Sequence, residues 1–150
     1  MRPIERGSVP KNKDGTDKVY KQYNDAKSDL IKNMGRYCSY CGMCIPASLA
    51  VEHVQTKQQV PDLKLSWDNF LLACVNCNST KSRKNINKDN KEDYYWPDTN
   101  NTHIPFVYDA NRQITINDEL TSWQKIKAQN MNYRRALYFT EKLNFINPTR

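Results

Sequence analysis

Apolar residues follow a helical spacing in the first part of the chain. Between Asp17 and Met34 they recur every three or four positions, which is typical of one buried helix face, and Gly35 follows as a C-terminal stop. The positions of this face are Val19, Tyr20, Tyr23, Ala26, Leu30, Ile31 and Met34. We therefore expect an amphipathic helix over residues 17–35.

Two shorter apolar runs in the middle of the chain predict strands. The first, Leu49–Val51, leads into Glu52-His53-Val54, and the second extends from Trp67 to Cys74. The polar, basic run that begins at Asn78 predicts the exposed start of a helix. We therefore expect two strands followed by a helix, with metal ligands where these elements meet.

The last third of the chain predicts a hairpin and a helix. Phe106–Tyr108 and Gln113–Ile116 flank the turn-like Asp109–Arg112. Apolar residues then continue at helical spacing over Leu120–Leu143, with an interruption at Gln129-Asn130. The expected fold class is α+β.

We expect these elements to form one domain over residues 1–150. Its predicted parts are a polar N-terminal arm over residues 1–16, the helix over 17–35, a core over 37–92, and a C-terminal extension over 93–150.

Composition and charge narrow the choice of function. Only 38% of the residues are hydrophobic, and the mean hydropathy is −0.89, so a large apolar core is not expected. The net charge of +7 favours a polyanionic partner such as DNA or RNA. No stretch has the ~18 to 20 apolar residues that cross a bilayer, and the N-terminus lacks the apolar core of a signal peptide. We expect a cytoplasmic protein without a membrane partner.

The cysteines indicate a structural metal. Cys38-x2-Cys41 and Cys74-x2-Cys77 are two matched pairs, and thiolates at this spacing suit a tetrahedral zinc ion. Cys41 and Cys44 also have two residues between them. Gly42 directly follows Cys41, however, and this favours Cys38 and Cys41 as the pair that binds the metal. We expect one structural zinc per chain, with Cys44 as a spare, buried cysteine.

A second group of residues lies between and directly after the cysteine pairs. Glu52 and His53 are adjacent, and Asn78 follows Cys77. Carboxylate, imidazole and amide groups suit phosphodiester chemistry with a hard cation, expected to be Mg²⁺ or Mn²⁺. An imidazole with a pKa near 6.5 is well matched to general-base work at neutral pH, so His53 is the expected base. His103 has no comparable neighbours and is expected at the surface or in a hydrogen bond.

The order of these motifs resembles the HNH endonucleases, the ββα-metal nucleases, in the form stapled by four cysteines. His53 matches the first letter and Asn69 the second, while the third falls on Asn78, which makes the chain an HNN variant. The resemblance implies a ββα-metal nuclease core in which His53 activates water while Glu52 and Asn78 hold the divalent cation. It implies that Asn69 ties the ligand-bearing loop in place and helps to orient His53.

Basic residues beside this motif are expected to contact phosphate. The tract from Lys81 to Lys91 contains one acid, Asp89, and the first turn of a helix adds free backbone amides. The expected nucleic-acid-binding residues are Lys57, Lys81, Arg83 and Lys84.

A narrower resemblance is to the small HNH proteins of retron and Septu-type antiphage systems, in which the nuclease works with an ATPase partner. It rests on Met1–Gly7 with Pro10, on Glu52-His53 with Lys57, and on Trp67–Cys74. Thr56 departs from the proline usual before the lysine, so we expect a less rigid loop there. Two alternatives stay open: an inert zinc-ribbon module that binds nucleic acid, and an adaptor subunit. The sequence does not determine whether the substrate is DNA or RNA, whether it is single- or double-stranded, or what the oligomeric state of the protein is.

Overall fold

The computed structural model describes residues 4–82, 84–108 and 114–131. The chain divides into two compact units, Met1–Lys91 and Glu92–Arg150, and the division falls beside the predicted start of the C-terminal extension. In the described residues the α-helices are α1 (Lys27–Met34), α2 (Val75–Ser82) and α3 (Ser122–Asn130), and the strands are β1 (Ala50–His53), β2 (Phe70–Ala73), β3 (Phe106–Tyr108) and β4 (Ile114–Ile116). Short 3-10 turns occur at Tyr23–Ala26, Pro61–Leu63, Trp67–Asn69 and Lys91–Asp93.

The N-terminal helix is shorter than predicted. A 3-10 turn at Tyr23–Ala26 leads into α1, so the prediction that the helix begins at residue 17 is wrong. The segment before the turn is non-helical instead: Asp17 forms an isolated β-bridge with Lys11, and Lys18 donates its amide to the Pro10 carbonyl at 2.8 Å. Val19, placed on the core face by its spacing, is 90% exposed. The predicted end is confirmed: Gly35 has φ +76° and caps α1.

Strands β1 and β2 form the centre of the first unit. They pair antiparallel, with Ala50 opposite Ala73 and His53 opposite Phe70. All four residues of β2 are buried. The largest fully buried side chains of this unit include Leu30 of α1 together with Phe70, Leu71 and Leu72 of β2. The small core is therefore made where α1 packs on β2.

The N-terminal arm makes two hydrogen bonds near the start of β2. The Arg6 Nε donates to the Phe70 carbonyl at 2.6 Å, and the Trp67 indole donates to the Gly7 carbonyl at 3.0 Å. The first bond satisfies a backbone acceptor of β2, and the second attaches the arm to the turn that precedes β2.

Helix α2 begins earlier than predicted. It starts at Val75, and the first helical bond runs from the Asn78 amide to the Cys74 carbonyl at 2.9 Å. The prediction of a helix start at Asn78 is therefore wrong, and Lys81 lies in the last turn rather than the first. As a consequence, the free amides of the helix N-terminus lie at the second cysteine pair and not at the basic residues.

The second unit contains the predicted hairpin and a helix. Strands β3 and β4 pair antiparallel, with Phe106 opposite Ile116, while the predicted turn at Asp109–Arg112 lies outside the described residues. Helix α3 begins at a capping box in which the Thr121 hydroxyl accepts from the Gln124 amide. The part of the predicted helix beyond residue 131 is likewise outside the described residues. Among the helices that are described, none has the length and apolar character needed to cross a membrane.

Candidate active site and zinc centre

The four paired cysteines converge at one point. The Sγ atoms of Cys38, Cys41, Cys74 and Cys77 all lie within 4.8 Å of one another. Zinc–sulfur bonds near 2.3 Å place the sulfurs of a tetrahedral site about 3.8 Å apart, so the cluster fits zinc. Cys44 is outside the cluster, as predicted, but it is exposed, and the expectation that it is buried is wrong.

Backbone geometry shapes each cysteine pair. Gly42 has φ +72°, a conformation that favours glycine, and its amide donates to the Cys38 carbonyl at 2.9 Å. On the other pair, the Cys77 amide points at the Cys74 Sγ at 3.5 Å. The hydrogen bond between the Cys38 and Cys41 side chains lowers the pKa of the Cys38 thiol and raises the pKa of the Cys41 thiol to about 11, as expected of thiols in direct contact.

The first cysteine pair is fixed to the central sheet. Ser39 donates its amide to the Leu72 carbonyl at 2.7 Å, and the Leu72 amide donates to the Ser39 hydroxyl at 3.2 Å. The zinc-binding turn and β2 therefore move as one body, which connects the metal to the strand pair that carries the remaining predicted site residues.

An open cleft of about 220 Å³ lies beside the C-terminal end of β1. It is lined by Tyr23, Val51, Glu52, His53, Thr56, Lys57, Gln58, Asn78 and Lys81. The structure thus brings three of the four predicted catalytic residues to one cleft, and the fourth, Asn69, does not line it.

His53 is held in a fixed orientation in this cleft. Its Nε2 lies 2.9 Å from the Lys64 carbonyl oxygen, and its ring meets the rings of Tyr23 and Phe70 edge-on at centroid distances of 5.0 and 5.4 Å. A carbonyl can only accept, so Nε2 carries the hydrogen. In the neutral ring Nδ1 is then the proton acceptor.

The surroundings keep His53 neutral. Burial lowers its pKa, and the positive charges of Lys57, Lys81 and Lys64 lower it further. The hydrogen bond to the Lys64 carbonyl opposes these effects, and the net shift is downward from the usual value near 6.5. His53 can therefore accept a proton at neutral pH.

Glu52 is buried, with 3% of its surface exposed, and both carboxylate oxygens have donors. The Tyr40 hydroxyl donates to Oε2 at 2.6 Å, and the Lys81 ammonium lies 2.8 Å from Oε1. Lys81 also donates to the His53 carbonyl. The two contacts fall on different oxygens of the carboxylate, and carboxylate oxygens are ligands that hard divalent cations prefer.

Lys81 does not occupy the exposed position that was expected for it. Its side chain is buried against Glu52, and burial lowers the pKa of its ammonium while the nearby carboxylate raises it. The prediction of an exposed Lys81 is wrong because the helix starts earlier and turns this residue inward. Its contact with phosphate stays a prediction.

Asn69 ties two loop segments together. Its Oδ1 accepts from the Gln55 amide at 2.8 Å, and its Nδ2 donates to the carbonyls of Gln55 and Leu63 at 3.0 and 3.1 Å. Leu63 precedes Lys64, whose carbonyl holds His53. This geometry suits the positioning role expected of Asn69, which stays a prediction.

Asn78 reaches the same cleft from α2. It is half-buried, and its amide side chain makes no hydrogen bond to another residue within the described ranges. Together with Glu52 it offers the oxygen donors that hard divalent cations prefer. The donor set therefore fits a magnesium or manganese ion.

The loop after His53 is anchored rather than loose. Thr56 is buried, and its amide and hydroxyl both reach the Ile86 carbonyl, at 2.9 and 3.2 Å. Proline could not make the first of these bonds, because it has no amide hydrogen. The expectation of a less rigid loop at Thr56 stays a prediction.

The other predicted phosphate-binding residues are placed differently. Lys57 lies over the Tyr23 ring, with its ammonium 4.7 Å from the ring centroid, at the cleft wall. Lys84 is half-buried and is not among the described residues that line the cleft. Arg83 lies outside the described residues.

Sequence reasoning missed two aromatic residues of the site. Tyr23 lines the cleft although its spacing assigned it to the core face of a helix. Tyr40 lies inside the Cys38–Cys41 turn. Its hydrogen bond to Glu52 joins residues 12 positions apart, and no pattern in the sequence indicates such a contact. The one feature of the sequence that could have singled out Tyr40 is its position between the zinc ligands Cys38 and Cys41.

Residues 38–84 match the model of the HNH endonuclease family. The match spans both cysteine pairs and every residue predicted to be catalytic, and it covers about a third of the chain. No curated protein matches the chain. The match supports the HNH resemblance and with it a metal-dependent nuclease activity.

Proposed function

We propose that this protein is a metal-dependent HNH endonuclease, an HNN variant, that hydrolyses phosphodiester bonds in DNA. The observation that carries the proposal is the state of His53. It is a buried, neutral imidazole whose Nε2 is bound to a backbone carbonyl and whose cleft also contains Glu52 and Asn78. A structural histidine in a zinc module would not need an acid and an amide in the same cleft.

His53 has the geometry of a general base. With Nε2 donating to the Lys64 carbonyl, Nδ1 takes the proton from a water molecule in line with the scissile phosphorus. The resulting imidazolium is held by the same carbonyl, which keeps the ring aimed while it is charged. Proton transfer of this kind contributes typically ~10²- to 10⁴-fold to a rate.

Glu52 and Asn78 are the proposed cation ligands. A bound Mg²⁺ or Mn²⁺ supplies stabilisation of the charge that develops on the phosphate and the leaving 3′ oxygen. Asn69 acts indirectly, since its three hydrogen bonds fix the loop on which the Lys64 carbonyl lies. Lys57, together with Arg83 and Lys84, is proposed to contact the phosphate backbone, in keeping with the net charge of +7.

Plasmid cleavage tests the proposal. Purified protein is incubated with supercoiled DNA in EDTA, Mg²⁺ or Mn²⁺, and zinc is measured on the same samples. We expect cutting in the divalent-cation arms and at least a 100-fold loss in His53→Ala, as for a lost general base. His103→Ala is the matched control, because His103 is the other histidine of the chain and is exposed in the second unit.

Each alternative has its own outcome in this assay. Full zinc with DNA binding but no cutting in any arm would identify an inert zinc-ribbon module or an adaptor and would end the nuclease proposal. A parallel arm with single-stranded DNA and RNA tests the substrate. Cutting of RNA alone would overturn the choice of DNA while leaving the chemistry of His53 intact.

We also propose that the nuclease serves an antiphage system and works with an ATPase partner. The resemblance of Trp67–Cys74 to such nucleases supports this, as do exposed apolar side chains in the second unit. These are Ile104, Val107, Trp123 and Ile126. Trp123→Glu should abolish capture of a candidate ATPase, whereas Val19→Glu, at an exposed position of the first unit, should not. Equal capture by both variants would contradict this docking surface.

A further inference from the structure

Tyr40 connects the zinc centre to the proposed cation site. It is one of the two residues between Cys38 and Cys41, and only 2% of its surface is exposed. Its hydroxyl donates to the Glu52 Oε2 at 2.6 Å. Tyr40 is too deeply buried and too far within the cysteine turn to serve as a proton donor to substrate.

The Glu52 carboxylate is held from two sides. Lys81, in the last turn of α2, approaches Oε1 at 2.8 Å, and Tyr40 holds Oε2. A carboxylate on a flexible side chain would otherwise rotate about its terminal bond. Because the Tyr40 and Lys81 contacts lie on different oxygens, together they restrict this rotation and fix the plane of the carboxylate.

The anchor of Tyr40 is itself rigid. Ser39 is bonded to Leu72 through two hydrogen bonds, and Cys38 and Cys41 on either side belong to the four-thiolate cluster. The hydroxyl of Tyr40 therefore has a fixed position relative to β1 and β2. A zinc ion in the cluster would hold this turn in place without touching the cleft.

We propose that Tyr40 is a positioning residue that aims Glu52 at the catalytic cation, so that the structural zinc and the catalytic metal are linked through one hydrogen bond. The proposal rests on the nuclease function proposed above, since it assigns Glu52 as a cation ligand. Hydrogen-bond partners of metal ligands typically contribute ~10- to 100-fold to metal affinity.

The test is Mn²⁺ affinity of the full chain, measured by the electron paramagnetic resonance of free Mn²⁺. Tyr40→Phe keeps the buried ring and removes only the hydroxyl. We expect one zinc per chain, an unchanged melting temperature within a few degrees and Mn²⁺ binding weakened by about 10- to 100-fold. Cleavage should need correspondingly more Mn²⁺ but reach the wild-type rate at saturation.

Tyr20→Phe is the matched control. Tyr20 is also buried, and its hydroxyl donates to a carboxylate, that of Asp29, at 3.0 Å, away from the cleft. Removing this hydroxyl costs a comparable hydrogen bond but should leave Mn²⁺ affinity within about twofold of the wild type. The two variants separate a general loss of stability from a specific effect on Glu52.

A double variant tests whether Tyr40 acts through Glu52. In a Glu52→Gln background, Tyr40→Phe should weaken Mn²⁺ binding no further. Equal Mn²⁺ affinity in wild type and Tyr40→Phe would overturn the inference, and so would loss of zinc or of the fold in Tyr40→Phe, because the hydroxyl would then serve the cysteine turn itself. If the wild type neither binds Mn²⁺ in the cleft nor cuts, the proposed function fails as well.

Discussion

Removing the Lys81 ammonium should destabilise the protein strongly. The side chains of Lys81 and Glu52 are 9% and 3% exposed, so this ion pair is largely removed from water. The ammonium also donates to the His53 carbonyl. Lys81→Met keeps most of the aliphatic volume and leaves the Glu52 charge buried without its partner.

The expected magnitude follows from burial. Removing one partner of a buried ion pair lowers the free energy of unfolding by about 3 to 5 kcal/mol. A surface pair is worth about 0 to 1 kcal/mol. Lys11 and Asp17 form such a pair, since both side chains are 60% exposed, and Lys11→Met is therefore the matched control.

Urea denaturation at a fixed zinc concentration measures both variants. We expect Lys81→Met to lose at least about 3 kcal/mol and Lys11→Met to lose less than about 1 kcal/mol. Adding Glu52→Gln to Lys81→Met should recover part of the loss, because the uncompensated charge is then gone. A loss below about 1 kcal/mol for Lys81→Met, equal to the control, would refute the buried pairing.

Other expectations concern pH, the loops and the metal. Because the folded-state pKa of His53 is lowered, neutral His53 contributes stability above its unfolded pKa near 6.5 that is lost as the pH falls towards the folded value. The acid limb of the pH–rate profile should likewise have its midpoint below 6.5. Lys57→Gln should raise this midpoint, because it removes a positive charge that lowers the pKa of His53. An unchanged midpoint in Lys57→Gln would contradict this effect of the Lys57 charge. Asn69→Ala should lower the cleavage rate about 100-fold by shifting the loop, with zinc retained, and loss of zinc would argue against a local effect. Thr56→Pro should cost about 1 to 3 kcal/mol by unpairing the Ile86 carbonyl, whereas Thr56→Val, which keeps the amide, should cost less. Chelating the zinc should unfold the first unit, as seen by circular dichroism, and an unchanged spectrum would deny the metal a structural role.

The sequence predicted the parts of this protein that depend on residue type and local spacing. Two cysteine pairs at metal-ligand spacing specified the four-thiolate cluster, because few other arrangements satisfy that chemistry. The order of two strands and a helix was also predictable, because apolar runs reflect local backbone preferences. Gly35 likewise indicated where the first helix ends. The composition of the cleft, with His53, Glu52 and Asn78, followed from motif order along the chain.

Local periodicity misjudged boundaries where distant contacts compete with it. Residues 17–22 have helical spacing, but the Lys18 amide bonds to the Pro10 carbonyl and Asp17 pairs with Lys11, so this segment is not helical. Helix α2 starts at Val75, inside the second cysteine pair, where the Cys77 amide points at the Cys74 Sγ. Neither competition is visible in a window of neighbouring residues.

Only the tertiary structure decided which polar groups are buried against one another. Lys81 reads as an exposed phosphate contact in a basic tract, yet it faces inward and neutralises Glu52. Tyr40 reaches the same carboxylate from the cysteine turn. A buried charge must find a partner wherever the fold provides one, and that partner is fixed by the packing of β1 against α2 and the cysteine turn rather than by any pattern along the chain.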